Sequence, residues 1–256
     1  RTNQALAKWR RGEQTIGGWL SLANTHTAEV MASAGFDWLC VDMQHGLIDY
    51  VDLRNMLPAI STTETTPIVR VAANRAELIG KSLDAGAMGV IVPLVNNREE
   101  AAAAVAACRY PPDGGRSFGP IRAALYGGRG YAAEANGQIA CIVMIETREG
   151  IANLDEIAAT PGLDGVYIGP SDLAYALGLP PAGDTDNAEH MATVEAIRAA
   201  CKAHGVAAGI HTVTPAYAKL RLEAGFQFVT VGNDAAFVGA GAAAAIAAAR
   251  AAIGTK

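Results

Sequence analysis

The stretch PIVRVAANRAELIGKSLDAGAMGVIVP, residues 67–93, contains one complete strand–helix–strand unit. An apolar run, 67–71, leads into a helical segment, and Gly86 stands shortly before the next apolar run, 89–93. Glycine is favoured directly after a helix because it readily adopts the left-handed backbone conformation. A strand that returns through a helix to another strand is typical of a parallel sheet.

The same alternation continues in both directions from this stretch. The predicted strands are 15–22, 38–43, 67–71, 89–93, 139–146, 165–169, 206–211 and 227–232. Helices also end in glycine at Gly35, Gly205 and Gly225. Eight such units in about 250 residues predict a (β/α)₈ TIM barrel, an α/β fold that forms one domain over residues 1–256. A doubly wound open sheet is the alternative, weakened because no GxGxxG fingerprint follows the first strand.

The composition is that of a globular protein whose partners are small molecules and other copies of itself. Hydrophobic residues make up 51 % and charged residues 18 % of the chain, so a large core is expected. The net charge is −5 with no long run of one sign, which argues against nucleic-acid binding. The four cysteines form no CxxC pair and are expected to be buried, reduced thiols: Cys40, Cys108, Cys141 and Cys201.

Neither end of the sequence suggests a membrane protein. Residues 1–15 contain no apolar signal region. The alanine-rich tract 239–253 is weakly apolar and is interrupted by Arg250, so we do not expect it to span a membrane. A soluble, cytoplasmic protein is therefore predicted.

Polar residues gather at the carboxyl ends of the predicted strands, which is where TIM barrels carry their active sites. They are Ser21, Asn24, His26, Asp42, Gln44, His45, Arg70, Glu146, Asp172, His211, Asn233 and Asp234. Arg70 lies inside an apolar strand and must meet an anion, because a buried unpaired charge is very costly. It is predicted to clamp a substrate carboxylate or enolate. A salt bridge to Asp42 or another internal acid is the alternative.

Glu146 and Asp172 follow neighbouring strands, so their carboxylates are expected to lie close together. Two such groups repel unless one is protonated or a cation joins them. Oxygen ligands suit Mg²⁺ or Mn²⁺. Alternatively, Asp172 caps the helix that begins at 171, and Glu146 pairs with Arg148 or Arg70. The amides of Ser171 and Asp172 at that helix start are candidates for binding a carboxylate.

Lysine chemistry is not expected. A Schiff-base aldolase needs a lysine inside the barrel, whereas every lysine falls at a terminus or in a predicted helix: Lys8, Lys81, Lys202, Lys219 and Lys256. His190 and His204 are predicted to lie on the surface of a helix. The long Gly-, Pro- and Arg-rich stretch 110–137 is predicted to be a functional loop.

Taken together, several segments resemble the HpcH/HpaI aldolase family, the metal-dependent class II pyruvate aldolases. The resemblance covers nearly the whole chain and runs through GWLSLANTHTAEVMASAGFDWLCVDMQHG, PIVRV, LDAGAMGVIVPLVNNREEA, RYPPDGGRSFGP, IETREGIANLDEIAATPGLDGVYIGPSDLAYALG and AGFQFVTVGND. It implies reversible aldol addition between pyruvate or hydroxypyruvate and a small aldehyde such as glyceraldehyde, glycolaldehyde or succinic semialdehyde. Two positions depart from the pattern, because Gln44 and Met144 stand where relatives often have Glu and Gln.

The resemblance also implies roles for individual residues. Glu146 and Asp172 would ligate Mg²⁺, Mn²⁺ or Co²⁺, and Arg70 would stabilise the enolate oxygen. His45 would be the acid/base, acting through water and oriented by Asp42 and by Asp84 of a neighbouring subunit. The remaining substrate contacts are expected from Trp19, Gly169, Ser171, Asp172, His211 and Thr212. Relatives form hexamers, built as trimers of dimers that exchange the C-terminal helix, so a homo-oligomer is expected.

Two other functions are compatible with these residues. One is an acyl-CoA lyase like the related citrate and malyl lyases, which would need a basic groove for the nucleotide. Arg116, Arg122 and Arg129 in the long stretch are the candidates for such a groove. The other is a non-catalytic barrel that binds a 2-oxo acid, which would not need His45.

Overall fold

Eight short parallel strands close on themselves in chain order in the computed structural model, which describes residues 1–253. The strands are β1 Thr15–Leu20, β2 Trp38–Asp42, β3 Thr66–Arg70, β4 Gly89–Val92, β5 Ala140–Met144, β6 Gly165–Ile168, β7 Ala207–Ile210 and β8 Phe228–Asn233. Each lies within a predicted strand or within one residue of it, and β8 pairs with β1 to complete the barrel. The predicted TIM barrel is confirmed, and the open-sheet alternative is wrong.

Helices connect successive strands, and one further helix precedes β1 and another follows β8. They are α1 Gln4–Arg10, α2 Thr25–Ser33, α3 Tyr50–Ile60, α4 Ala76–Asp84, α5 Arg98–Cys108, α6 Ile121–Gly127, α7 Tyr131–Gln138, α8 Arg148–Ala152, α9 Leu154–Ala158, α10 Pro170–Leu177, α11 Ala188–His204, α12 Pro215–Glu223 and α13 Asp234–Ile253. The predicted glycine endings are present, with φ of 105° at Gly86 and 68° at Gly205. The four cysteines are buried and unpaired, as expected.

Large aromatic side chains fill the barrel interior. Trp38, Tyr167 and Phe228 are fully buried there, and Tyr167 stacks on Phe228 with ring centroids 5.6 Å apart. Helix α1, which the sequence reading did not predict, closes the amino end of the barrel. Its Leu6 and Trp9 join the interior cluster, and Trp9 stacks on Phe228 at 4.5 Å. Side chains therefore fill the barrel interior below its carboxyl end, and that end remains open to ligands.

The stretch 110–137 lies at the amino ends of the strands and is partly helical. It contains α6 and α7, so its prediction as a loop is wrong in part. Arg122 donates hydrogen bonds to the Ala85 carbonyl at 3.0 Å and to the Ser61 hydroxyl at 2.8 Å. The position follows from connectivity, because a segment that leads from a helix into a strand must reach the amino end of that strand.

Helix α13 leaves the barrel after a single anchored residue. Asp234 is 1 % exposed, and its carboxylate accepts hydrogen bonds from the Ser21 and Leu22 amides at 2.9 and 3.1 Å. Beyond it the helix is exposed in the isolated chain, with Val238 62 % and Ile246 53 % accessible. By length and composition alone, its mean hydropathy of 1.7 would allow it to cross a membrane.

Candidate active site

An open cleft of about 290 Å³ lies at the carboxyl end of the barrel. Its walls come from β1, β3, β5 and β6, from the segments after β2 and β7, and from the start of α10. The side chains and backbone that line it belong to Trp19, His45, Arg70, Met144, Tyr167, Gly169, Pro170, Ser171, Asp172, Gly183, His211 and Val213. Most of the residues predicted to contact substrate are therefore brought together here.

Arg70 is fixed at the cleft by Asp42. The Nε and Nη2 atoms of Arg70 donate to the two Asp42 oxygens at 2.8 and 2.6 Å, and the Trp19 indole N–H donates to Asp42 at 3.1 Å. Burial raises the pKa of Asp42, but hydrogen bonds and charge from Arg70 outweigh it, so that pKa lies below its usual value. The predicted salt bridge thus exists, and it uses only one edge of the guanidinium. Nη1 remains for a ligand in the cleft.

Asp42 also shapes the backbone that carries His45. Its Oδ1 atom accepts from the amides of Gln44 and His45 at 3.0 and 3.3 Å. The imidazole of His45 is exposed in the cleft and has no hydrogen-bond partner within residues 1–253. The expectation that Asp42 orients the ring therefore needs correction, because Asp42 holds the main chain instead.

Asp84 does not reach His45 within one chain. It ends α4, and barrel helices run opposite to the strands, so its place is the amino end of the barrel. There its carboxylate accepts from Arg116 Nη2 at 2.6 Å. A contact between Asp84 and His45 is left as a prediction about a neighbouring subunit.

Glu146 carries a buried oxygen that has no partner. The residue is 2 % exposed; Oε1 accepts from the Leu94 amide at 3.0 Å, whereas Oε2 has no hydrogen-bond partner within residues 1–253. Leu94 has a φ of 55°, a conformation that side chains rarely adopt, and this conformation presents its N–H to Glu146. Neither Arg148 nor Arg70 forms a salt bridge with Glu146 among the described residues, so the predicted alternative pairing is wrong.

Asp172 lies beside Glu146 and faces the cleft. Burial raises the pKa of Glu146 to about 7 against the lowering effect of the Leu94 hydrogen bond, and the Asp172 charge raises it further against a smaller effect of Arg70. Asp172 is exposed and makes no capping hydrogen bond at the start of α10, which removes the capping alternative. The backbone also lies close, since a Cβ atom on Gly169 would come within 2.5 Å of Glu146 Oε2. Asp172 therefore lines the cleft, whereas Glu146 is buried near it and is not one of the lining residues; neither carboxylate forms a salt bridge among the described residues.

The amino end of α10 is held against this wall by a buried histidine. The Nε2 atom of His190 lies 3.0 Å from the Pro170 carbonyl, and His190 is 0 % exposed, so its prediction as a surface residue is wrong. Ser171 follows Pro170 and lines the cleft. The start of this helix, with its free amides, thus lies at the cleft wall that carries Asp172.

His211 and Thr212 separate to opposite sides of the chain. His211 lines the cleft, with Nδ1 3.3 Å from the Tyr167 hydroxyl and its ring edge-on to Trp19. Thr212 is fully buried and does not line the cleft. Its amide donates to the Thr230 hydroxyl at 2.9 Å, and its own hydroxyl donates to the Thr230 carbonyl. The expected substrate contact by Thr212 is therefore wrong, because successive residues of an extended chain point in opposite directions.

Other residues at the strand ends stabilise the backbone. Asn24 caps α2 by accepting from the Thr27 amide at 2.9 Å, and Asn233 accepts from the Ala236 amide at 2.8 Å. His26 is exposed on α2. The two asparagines therefore cap the starts of helices and do not line the cleft.

Tyr167 and Val213 line the cleft but were not predicted from the sequence, and Met144 was noted only as a departure from the family pattern. Met144 and Tyr167 lie on β5 and β6, where alternate residues point into the barrel. That alternation was the available signal for both. Val213 comes from the loop after β7, for which the sequence offers no comparable pattern.

Two alternative chemistries lack the groups that they need. No lysine among the described residues lines the cleft: Lys8, Lys81, Lys202 and Lys219 lie on helices, and Lys256 falls outside the described residues. Arg116 is 4 % exposed and bonded to Asp84, and Arg122 bonds to the main chain, both at the far end of the barrel. Arg129, the third candidate, does not line the cleft either, so the three arginines form no basic groove for a nucleotide there.

Comparison with known proteins agrees with this geometry. The model of the HpcH/HpaI aldolase/citrate lyase family matches residues 15–239. A hydroxypyruvate/pyruvate aldolase of Rhizorhabdus wittichii is 43 % identical over 249 residues, which cover 97 % of this chain and 99 % of that protein. A 2-dehydro-3,6-dideoxy-6-sulfogluconate aldolase of Pseudomonas putida is 43 % identical over 231 residues, 90 % of each chain. The crystal structure of an HpcH/HpaI aldolase/citrate lyase family protein from Burkholderia cenocepacia superposes with a TM-score of 0.91 at 37 % identity, over 97 % of this chain and 100 % of that one.

Proposed function

The chain belongs to the HpcH/HpaI aldolase/citrate lyase family and is an aldolase, a carbon–carbon lyase, and we propose that its cleft joins a 2-oxo acid to a small aldehyde. The donor would be pyruvate or hydroxypyruvate, and the reaction would be reversible. The observation that carries the proposal is the buried, unpartnered Oε2 atom of Glu146 beside Asp172. A bound cation would satisfy this oxygen and offset the repulsion between the two carboxylates.

A divalent cation fits these two carboxylates. Mg²⁺ in proteins is commonly held by one or two carboxylates and otherwise by water and substrate oxygens. Glu146 and Asp172 supply that ligand set, and the burial and like charge that raise the pKa of Glu146 are conditions that a cation beside it would offset. When bound there, Mg²⁺, Mn²⁺ or Co²⁺ would act as a Lewis acid on the donor keto group.

Arg70 and the start of α10 would hold the donor acid. The Nη1 edge of Arg70 would donate to the oxygen on which negative charge develops, and Asp42 keeps the guanidinium in place before substrate arrives. The amides of Ser171 and Asp172 would bind the donor carboxylate, aided by the helix dipole. Trp19 packs against Arg70, with the guanidinium carbon 5.0 Å from the ring centroid, and narrows the space around the donor.

His45 would move the proton. Its imidazole stands exposed in the cleft on a backbone that Asp42 fixes, and imidazole can take and return a proton near neutral pH. In the addition direction it would receive a proton from the donor carbon, directly or through water, and return one to the new hydroxyl. A partner's Asp84 would orient the ring.

A second copy of the chain would cover α13. A helix of 20 residues that is exposed along its length and carries apolar side chains must be buried against something. We infer exchange of this helix between subunits within a hexamer, built as a trimer of dimers. Burial in an oligomer, rather than in a membrane, agrees with the predicted cytoplasmic location.

The test separates donor activation from the full reaction. Pyruvate is incubated with enzyme in D₂O without aldehyde, and exchange of its methyl protons is followed by NMR with EDTA and then with Mg²⁺ or Mn²⁺. We expect exchange only with the metal. Exchange that persists in excess EDTA would exclude the metal role, and its absence under all metals would exclude activation of pyruvate.

A further inference from the structure

Helix α10 begins without a capping side chain. Gly169 precedes the helix and has no side chain that could accept from the free amides, and Pro170 is the first helical residue. A larger residue does not fit in place of Gly169, because a Cβ atom there would come within 2.5 Å of Glu146 Oε2 and 2.9 Å of the Met144 methyl group. A capping side chain usually fixes the start of a helix. Here that role falls to a neighbouring element.

His190 supplies the missing contact from α11. Its side chain is fully buried, and Nε2 lies 3.0 Å from the Pro170 carbonyl oxygen. A carbonyl only accepts, so Nε2 carries a proton and donates it. Burial lowers the pKa of His190, the bond to Pro170 opposes this effect, and the charge of Arg221 adds to it, so the ring is neutral at pH 7. Nδ1 has no hydrogen-bond partner within residues 1–253, which leaves the bond to Pro170 as the one that the ring makes there.

The backbone that carries His190 is fixed from both sides. Asn187 caps α11 by accepting from the His190 amide at 3.1 Å. The segment before Asn187 is tied to the start of α12, because Asp184 accepts from the Thr214 amide at 2.9 Å and Thr214 caps that helix. The hydrogen bond to Pro170 thus joins the start of α10 to the starts of the two helices that follow it.

The first turn of α10 carries groups that the proposed function uses. Ser171 and Asp172 directly follow Pro170, and both line the cleft. These three residues lie within one helical turn, so a displacement of the Pro170 carbonyl displaces Asp172 with it. Glu146 is held separately, since its Oε1 atom accepts from the Leu94 amide at 3.0 Å. The separation of the two carboxylates therefore depends on where α10 begins.

We propose that His190 is a positioning residue of the cleft, whose Nε2–H bond to the Pro170 carbonyl sets the first turn of α10 and thereby the place of Asp172 beside Glu146. The inference rests on the proposed function, in which these two carboxylates hold a divalent cation. His190 itself acts from outside the cleft, since it is fully buried and does not line it. Replacing a group that orients metal ligands in this way typically weakens metal binding about 10- to 100-fold.

The experiment measures Mn²⁺ binding by electron paramagnetic resonance in variants at position 190. In His190→Gln the side-chain amide nitrogen can take the place of Nε2, whereas in His190→Asn it takes the place of Nδ1 and does not reach the Pro170 carbonyl. We expect the Kd for Mn²⁺ to stay within about threefold of wild type in His190→Gln and to rise about tenfold in His190→Asn. Both variants bury an amide in place of the ring, so the comparison isolates the bond to Pro170.

Val194→Ala is the matched control for a loss of packing. Val194 is fully buried one turn further along α11, so this variant should unfold at a lower temperature and bind Mn²⁺ as wild type does. A tenfold rise in Kd for Val194→Ala, or equal Mn²⁺ affinities of His190→Asn and His190→Gln, overturns the inference.

The hydrogen bond is also tested in wild type, without any substitution. ¹⁵N NMR of histidine-labelled protein should show His190 with its proton on Nε2 at pH 7. A neutral ring with the proton on Nδ1 could not donate to Pro170 and overturns the inference. Failure of wild type to bind Mn²⁺ at all would instead overturn the proposed function.

Discussion

Glu146→Gln should stabilise the metal-free protein at alkaline pH. Burial and the Asp172 charge raise the pKa of Glu146 from its ordinary 4.5 to about 7. Ionising this carboxyl in the folded chain therefore costs about 3 kcal/mol more than in the unfolded chain. Glutamine has nearly the same shape, can still accept the Leu94 amide hydrogen bond, and carries no charge, so it removes this cost.

Because folding raises the pKa of Glu146, the stability difference between Glu146→Gln and wild type depends on pH. Between pH 4.5 and about 7 the folded state holds more protons at Glu146 than the unfolded state does. Wild-type stability should therefore fall as pH rises through this interval, and the stability contributed by the raised pKa is present only below it. Glu146→Gln should gain about 2 to 3 kcal/mol relative to wild type between pH 5 and pH 8. A loss of stability caused by an unpartnered glutamine amide at position 146 is the same at every pH, so it cancels when pH 5 and pH 8 are compared.

The assay is thermal unfolding in EDTA at several pH values between 5 and 8. At roughly 2 to 4 °C per kcal/mol for a chain of this size, the relative gain should amount to several degrees. Glu149→Gln is the matched control, because it removes an exposed carboxylate from the same segment. Added Mn²⁺ should raise the unfolding temperature of wild type but not of Glu146→Gln. Parallel pH profiles for Glu146→Gln and wild type would refute the reasoning, and so would equal stabilisation of both by Mn²⁺.

Three further outcomes are expected. Arg70→Lys should lower kcat/KM about 100-fold or more while circular dichroism stays native, because an ammonium cannot bind Asp42 and substrate through a planar fork; near-normal kinetics would contradict the clamp. Borohydride added with pyruvate should leave the protein mass unchanged, since no lysine among the described residues lines the cleft, and a stable adduct would indicate imine chemistry. A chain that ends at Val238 should form smaller assemblies than the full chain by light scattering, and a monomeric or vesicle-bound full chain would contradict helix exchange.

The barrel was predictable because its signals are local. Each strand is a short apolar run, and Gly86 and Gly205 end helices with the backbone angles that glycine favours. What escaped prediction depends on distant contacts. Helix α1 is short, and only its packing against Phe228 in the barrel interior shows its purpose. The stretch 110–137 was predicted as a loop because ten of its 28 residues are Gly or Pro, although two short helices form within it.

The sequence was enough to place candidate site residues at the carboxyl ends of strands, but it did not predict the direction of their side chains. Proximity to the carboxyl end of a strand selects His211 and Thr212 equally, yet the pleat sends one into the cleft and the other to Thr230. The same criterion selects Asn24, which caps a helix. Strand-end position shows where chemistry can occur, whereas side-chain direction, which register and pleat determine, decides which residues take part.

The sequence alone does not show which acidic residue pairs with Arg70. Arg70 could pair with Asp42 or with Glu146, and both pairings satisfy a buried guanidinium. The structure pairs it with Asp42, which the neighbouring strand β2 places in register with Arg70. That choice leaves Glu146 with Leu94 alone and with a raised pKa. The pairing of Arg70 with Asp42 thus leaves Glu146 available: had Arg70 neutralised Glu146, the site would lack a carboxylate that favours a metal ion.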